Sequence, residues 1–270
     1  RKSISRAIKI CESLRNNPKG YVDRYKAYGK IRECNNQYRY NARKMFEGGL
    51  LNMKIEAIIT DMDGTLVQYE NSDYKSSWDA IGNRLTGWRK DQWFLNLDIY
   101  YKEKDRLTEW SEANAILLKG LEVEKIRNAL LPVPYSKGVK DFFKNPSRLE
   151  VTGILSGGIS IVADEIKNEL DMYFALSCSL GTENGYFNGE VDVLDMWKKH
   201  EVLEDVLKKD YNISMENVCY IGDHDNDISV FRRAGLSIAF DPKTQKTIDN
   251  SNHTIYDFKD VREILGIYST

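Results

Sequence analysis

The most constraining stretch of the chain is a short apolar run, Ile55, Ala57, Ile58 and Ile59, that ends in Asp61-Met62-Asp63-Gly64-Thr65. A strand without polar alternation needs cover on both faces, which is how the strands of parallel sheets are built. Two carboxylates two residues apart then fall on the turn at its carboxyl end, and Gly64 permits that turn. Taken alone, the turn has two readings. It caps the next helix, or it carries chemistry.

The remainder of the chain repeats the strand-then-loop pattern. Residues 70–132 read as helices, with Trp78, Trp88, Trp93, Phe94 and Trp110 interspersed as helix packing. Leu117, Leu118, Leu121, Val123, Ile126 and Leu130 follow one helical spacing, and Pro132 and Pro134 close the block. A strand is expected over 148–155, stopping at Ser156-Gly157-Gly158, then a helix over 159–170 and a strand over 173–176. Asn184-Gly185 and Asn188-Gly189 mark a hairpin within 177–193. Strands at 218–221, 236–240 and 253–255 alternate with helices at 197–209, up to Ala234, at 244–250 and at 261–267. This alternation predicts an α/β fold with a doubly wound parallel sheet.

The 270 residues suffice for one substantial α/β domain and a small accessory one. Charge is unevenly placed. The overall net charge is -2, yet residues 1–50 hold 13 Lys/Arg against 4 Asp/Glu, a net of +9. That segment reads as a basic N-terminal extension, 1–52, and Met53 just before the first strand is the expected start of translation. An arm for nucleic acid is not the favoured reading of it. Cys11, Cys34, Cys178 and Cys219 form no zinc spacing, and free thiols in a reducing cytoplasm are expected. No apolar run approaches the roughly 18–20 residues that span a bilayer.

Four clusters fall at or near the carboxyl ends of the expected strands: Asp61-x-Asp63-Gly64-Thr65, Ser156-Gly157-Gly158, Lys198-Lys199, and Gly222-Asp223-His224-Asp225-Asn226-Asp227. Several carboxylates suit a hard cation such as magnesium. A serine, glycine amides at a helix start and a lysine suit phosphate oxygens. Phosphoryl transfer needs an in-line nucleophile and positive charge on the equatorial oxygens, and these clusters supply both.

With these motifs in this order, the sequence resembles the haloacid dehalogenase superfamily of phosphohydrolases, most nearly the branch that includes phosphoserine phosphatase. The resemblance spans about residues 54–268. It implies a HAD-like core over 53–68 and 133–270 and a small helical cap over 69–132. It implies Asp61 as the nucleophile that becomes aspartyl phosphate, and Asp63 as general acid and then base. Ser156, Gly157, Lys199 and Asn226 would contact the phosphate. Asp61, Asp63 and Asp223 would hold Mg2+, with Thr65 and Asp227 in support. Lys199 is preferred over Lys198 because Lys199-His200-Glu201-Val202-Leu203 resembles the corresponding run of the branch. His224 is expected at the rim. Glu70 matches a substrate-amine contact, whereas Asn114 stands where those enzymes place a carboxylate-binding Arg; Arg84 or Arg106 could substitute. The expected activity is hydrolysis of a small-molecule phosphate ester, with phosphoserine the leading substrate, by a cytoplasmic monomer or homodimer. The alternatives are a sugar or nucleotide phosphate, or a non-catalytic regulatory protein.

Overall fold

The computed structural model describes residues 54–69, 75–100, 106–144 and 150–268. The expectations for 1–52, for Met53 and for Glu70 lie outside them.

Seven strands form one sheet in the order β4-β3-β2-β1-β5-β6-β7. Strand β1 (Ala57–Thr60) is fully buried and lies between β2 (Val151–Ile159) and β5 (Val218–Gly222), parallel to both. On one side β3 (Phe174–Glu183) extends the parallel sheet, and β4 (Tyr186–Asp192) closes it antiparallel. On the other side β6 (Leu236–Phe240) and β7 (His253–Ile255) complete it. The chain runs outward from β1 through β2 and β3, then returns to β5 on the far side of β1. This reversal opens a crevice at the carboxyl ends of β1, β2 and β5.

Two strands differ from the sequence reading. β2 does not stop at Leu155 but continues through Ser156-Gly157-Gly158 to Ile159. Its pairing with β3 jumps from Leu155↔Leu176 to Ile159↔Cys178, so the three residues bulge out of register rather than ending the strand. β3 likewise does not end at Leu176. Ser177-Cys178-Ser179 contains no breaker, so one strand serves the parallel sheet first and the hairpin with β4 second.

In the insert that follows β1, the described residues form four helices: α1 (Ser77–Arg84), α2 (Trp88–Tyr100), α3 (Leu107–Leu118) and α4 (Val123–Leu130). The single helical spacing expected from Leu117 to Leu130 is broken at Lys119-Gly120, where Gly120 has φ +79°. The turn docks on the β3–β4 hairpin instead. Gly120 N–H donates to the Phe187 carbonyl at 2.9 Å, and Phe187 N–H to Leu121 at 3.0 Å. Trp78 packs against Trp93 and Trp110 at ring-centroid distances of 5.9 and 4.9 Å, so these three serve helix packing as expected, whereas Trp88 is exposed. The insert leaves and re-enters through a narrow neck, in which Gln68 N–H donates to Pro134 and Ser136 N–H to Leu66.

Beyond the insert, α5 (Val139–Phe143) precedes β2, and α6 (Ser160–Glu169) follows it. α7 (Lys199–Val206) precedes β5, α8 (Ile228–Phe231) precedes β6, α9 (Gln245–Asp249) precedes β7, and α10 (Lys259–Tyr268) ends the described chain. Among the described residues no helix is long and apolar enough to cross a membrane.

Candidate active site

The turn after β1 is held by its own backbone. Gly64 N–H donates to Val67 and Thr65 N–H to Met62. Gly64 has φ +88°, and a Cβ there would stand 2.3 Å from Asp223 Oδ2. Only glycine lets this turn approach β5 so closely. The approach brings Asp61, from the end of β1, beside Asp223, from the end of β5. One carboxylate oxygen from each of them and one from Asp227 lie within 4.8 Å of one another.

Lys199, the first residue of α7, is completely buried. Its Nζ donates to Asp61 Oδ1 at 3.0 Å and also pairs with Asp227. Lys198 is exposed and faces Asp195. Asp227 is saturated: Tyr220 and Lys199 reach Oδ1, while the N–H groups of Asp223 and His224 donate to Oδ2 at 3.0 Å. It therefore orients the lysine and the 223–224 backbone. Burial works against the Lys199 charge, but Asp227 and Asp61 more than offset it, and the ammonium is held above its ordinary range.

Asp63 points toward the insert. Its Oδ2 accepts from Ser77 N–H at 3.0 Å and Ser77 Oγ at 2.8 Å, and its Oδ1 faces the Tyr69 hydroxyl at 3.5 Å. Burial pushes its carboxyl up to about 6, against those two Ser77 bonds. Neither Ser77 nor Tyr69 was among the expected site residues, although Ser76-Ser77-Trp78 resembles cap segments of relatives in this branch. The Ser77 contact spans 14 residues and depends on how the insert folds back, so no local signal carries it.

Ser156 is buried in the β2 bulge, where Gly158 N–H donates to its Oγ at 3.1 Å. The Gly157 carbonyl accepts from Trp78 Nε1 at 3.0 Å. Asn226 lies in a single 3-10 turn after β5. Its Nδ2 meets the Met196 sulfur at 3.6 Å, and its Oδ1 is buried without a hydrogen-bond partner among the described residues. Thr65 Oγ1 is likewise buried and unpartnered among the described residues. His224 is exposed at the rim.

Asn114 lies within the insert, where its Oδ1 accepts from Asn96 Nδ2 at 2.9 Å and its own Nδ2 has no partner among the described residues. Arg84 donates to the Ala129 carbonyl, and Arg106 pairs with Glu109.

The charges do not balance. Three buried carboxylates, Asp61, Asp223 and Asp227, face one ammonium, Lys199. Burial pushes Asp61 up to about 7 against the pull of Lys199. Burial, then Asp61 and Asp227, push Asp223 well above the ordinary carboxylate range. Among the described residues no hydrogen-bond donor reaches the Asp223 carboxylate. An all-oxygen set with surplus negative charge fits a hard divalent cation, and with Asp227 fully engaged the free ligands are Asp61 and Asp223.

A family model for haloacid dehalogenase-like hydrolases matches residues 58–232, which hold all four clusters. The chain belongs to this family. It is 30% identical over 195 residues to the phosphoserine phosphatase of Archaeoglobus fulgidus, covering 71% of this chain but only 54% of that one. It thus spans about half the length of that relative. It is 29% identical over 215 residues to the phosphoserine phosphatase of Methanocaldococcus jannaschii, covering 78% of this chain and 97% of that one. Among solved structures it resembles a phospho-aspartyl intermediate analogue of phosphoserine phosphatase, with 26% identity and a TM-score of 0.62 over 78% of this chain and 99% of that one. Within the family, this chain is phosphoserine phosphatase-like.

Removing the unbalanced charge has a measurable sign. The folded Asp223 pKa lies above its unfolded value, so the folded state binds more protons than the unfolded one just above the unfolded pKa. Stability is therefore lost as pH rises from about 4 through the folded pKa. Asp223→Asn should raise the Tm of the metal-free protein by roughly 2–4 °C at pH 8, the shift that about 1 kcal/mol gives in a chain of this size. The gain should vanish near pH 4. Adding Mg2+ should raise the wild-type Tm and leave that of Asp223→Asn unchanged, as read by calorimetry.

Proposed function

We propose that the protein is a magnesium-dependent phosphomonoesterase of the cytoplasm that hydrolyses a small phosphorylated metabolite, phosphoserine foremost, through an aspartyl phosphate at Asp61. The observation that carries this reading is the buried Lys199–Asp61 contact with Asp63 two residues away. One carboxylate is held by a permanent cation beside it, and a second, with its pKa raised, is free to exchange a proton. That is the division of labour a covalent phosphatase needs.

Asp61 attacks phosphorus while Asp63 gives a proton to the leaving alcohol oxygen. Asp63 then takes a proton from the water that hydrolyses the intermediate. Lys199 offsets negative charge on the transferred phosphoryl group, and Ser156, the Gly157 backbone and Asn226 contact its oxygens. The unpartnered Oδ1 of Asn226 is in keeping with a polar group that waits for a ligand. A magnesium ion held by the Asp61 and Asp223 carboxylates and the Asp63 backbone carbonyl would supply further neutralisation of the phosphoryl charge. Thr65 supports the turn, and Asp227 sets the lysine. Residues 53–68 and 133–270 form the catalytic core in this reading. The insert, 69–132, acts as the cap that excludes water, with Glu70 as its contact to the substrate amine, while Asn114 is taken up inside the cap by Asn96. The buried free thiols of Cys178 and Cys219 accord with a reducing compartment.

A panel of phosphate monoesters tests this, run with Mg2+ and again with chelator. L-phosphoserine should be turned over fastest, and chelation should stop every reaction. A sugar or nucleotide phosphate turned over faster would replace the substrate assignment. Silence across the panel with Mg2+ present would overturn the reading itself.

A further inference from the structure

Ser77 makes three hydrogen bonds in one place. Its N–H and Oγ both donate to Asp63 Oδ2, at 3.0 and 2.8 Å, and its Oγ accepts from Ile159 N–H at 3.0 Å. Ser77 is fully buried and opens α1, the first helix of the cap. The next residue, Trp78, binds the Gly157 carbonyl of the β2 bulge. The first turn of the cap therefore joins the loop after β1 to the bulge of β2.

The bonding pattern determines where a proton can sit. A backbone N–H is always a donor. The Ser77 hydroxyl accepts from Ile159, and among the described residues Asp63 is the acceptor within reach of its own hydrogen. Both Ser77 donors converge on Oδ2 and occupy its lone pairs, whereas Oδ1 accepts one longer bond, from the Tyr69 hydroxyl at 3.5 Å, which leaves it a lone pair for a proton. The exchangeable proton belongs on Oδ1. Gly158 closes the arrangement from the other side. A Cβ there would stand 2.6 Å from Asp63 Oδ2 and 2.8 Å from Ser77 Oγ.

We propose that Ser77 is a positioning residue that makes Oδ1 the working oxygen of Asp63, and that it does so only while the first cap helix is seated on β2. The proposal rests on the acid–base reading of Asp63 given above. In the first half-reaction Asp61 bonds to phosphorus and the bond from phosphorus to the alcohol oxygen breaks. Its electron pair stays on that oxygen, which takes the proton from Oδ1. In the second half-reaction water gives a proton to Oδ1 as its oxygen bonds to phosphorus. The bond to Asp61 then breaks, which restores the carboxylate and releases inorganic phosphate.

The test compares two leaving groups by quench-flow in a single turnover. An alkyl phosphate (phosphoserine, or the ester that the panel finds fastest) needs its leaving oxygen protonated. The phenolate of p-nitrophenyl phosphate departs with little help. Ser77→Ala should slow alcohol release from the alkyl ester by roughly 10–100-fold more than it slows nitrophenolate release, since a positioned general acid contributes about 10²–10⁴-fold. Gly158→Ala, which keeps the serine and parts the contact sterically, should show the same selectivity and serves if Ser77→Ala does not fold. Equal losses on both esters, or none, would overturn the proposal while leaving the phosphatase reading intact. If wild type forms no phosphoenzyme from either ester, the phosphatase reading falls and the proposal falls with it.

Discussion

Lys199→Met is expected to be the most destabilising single substitution in the site. The ammonium is fully buried between Asp61 and Asp227. Methionine fills similar space and removes the charge. Two buried carboxylates are then left without their cation, and breaking a buried ion pair from one side typically costs about 3–5 kcal/mol. Urea melts at pH 8 should show that loss as a lower midpoint with an unchanged slope. The gap to wild type should narrow as pH falls, because protonating Asp61 removes one of the stranded charges. The sign follows from Asp61 itself: its folded pKa is already raised to about 7, and losing Lys199 removes the first influence that holds it down. Turnover should be lost as well. Lys198→Met changes an exposed residue and should leave both stability and turnover near wild type.

That contrast bears on what a sequence can disclose. Lys198 and Lys199 are neighbours of identical chemistry, and the run that follows them and the distance to Asp223 in the sequence separated the two. The fold was legible where local rules and tertiary structure agree. Leu236–Phe240 and His253–Ile255 are bounded by breakers, and they form strands over those residues. The four clusters were legible because each is local in sequence and the strand order gathers them at one edge. Other features were not legible, for particular reasons. Ser156-Gly157-Gly158 has the composition of a strand end, yet β2 holds these residues as a bulge because Ile159 pairs again with Cys178. Gly120 interrupts a spacing that reads as one helix, because the hairpin supplies backbone partners for the turn. Ser77 is a common serine after another serine. Its meaning comes from Asp63 and Ile159, which are 14 and 82 residues away.

Asp61→Asn isolates the chemistry from the architecture. Asparagine keeps the shape of aspartate, and its Oδ1 can still accept from Lys199 where Asp61 accepts at 3.0 Å. The lysine retains Asp227, so the substitution leaves one buried ammonium beside one saturated carboxylate. Burial disfavours the Asp61 charge, as its raised pKa states, and so removing that charge should not lower the Tm. The amide cannot attack phosphorus, and turnover should fall by about 10⁴-fold or more, the scale seen when a covalent nucleophile is removed. Mass spectrometry after acid quench should find one added phosphoryl group on wild type and none on the variant. Asp63→Asn should behave differently. It retains the nucleophile but has no proton to give, so it should cleave p-nitrophenyl phosphate once and then stall as the phosphoenzyme, with no base to activate water. Turnover by Asp61→Asn at more than about a thousandth of the wild-type rate would move the nucleophile elsewhere. Asp223 is then the next buried carboxylate beside the crevice, and the added phosphoryl group would be found there.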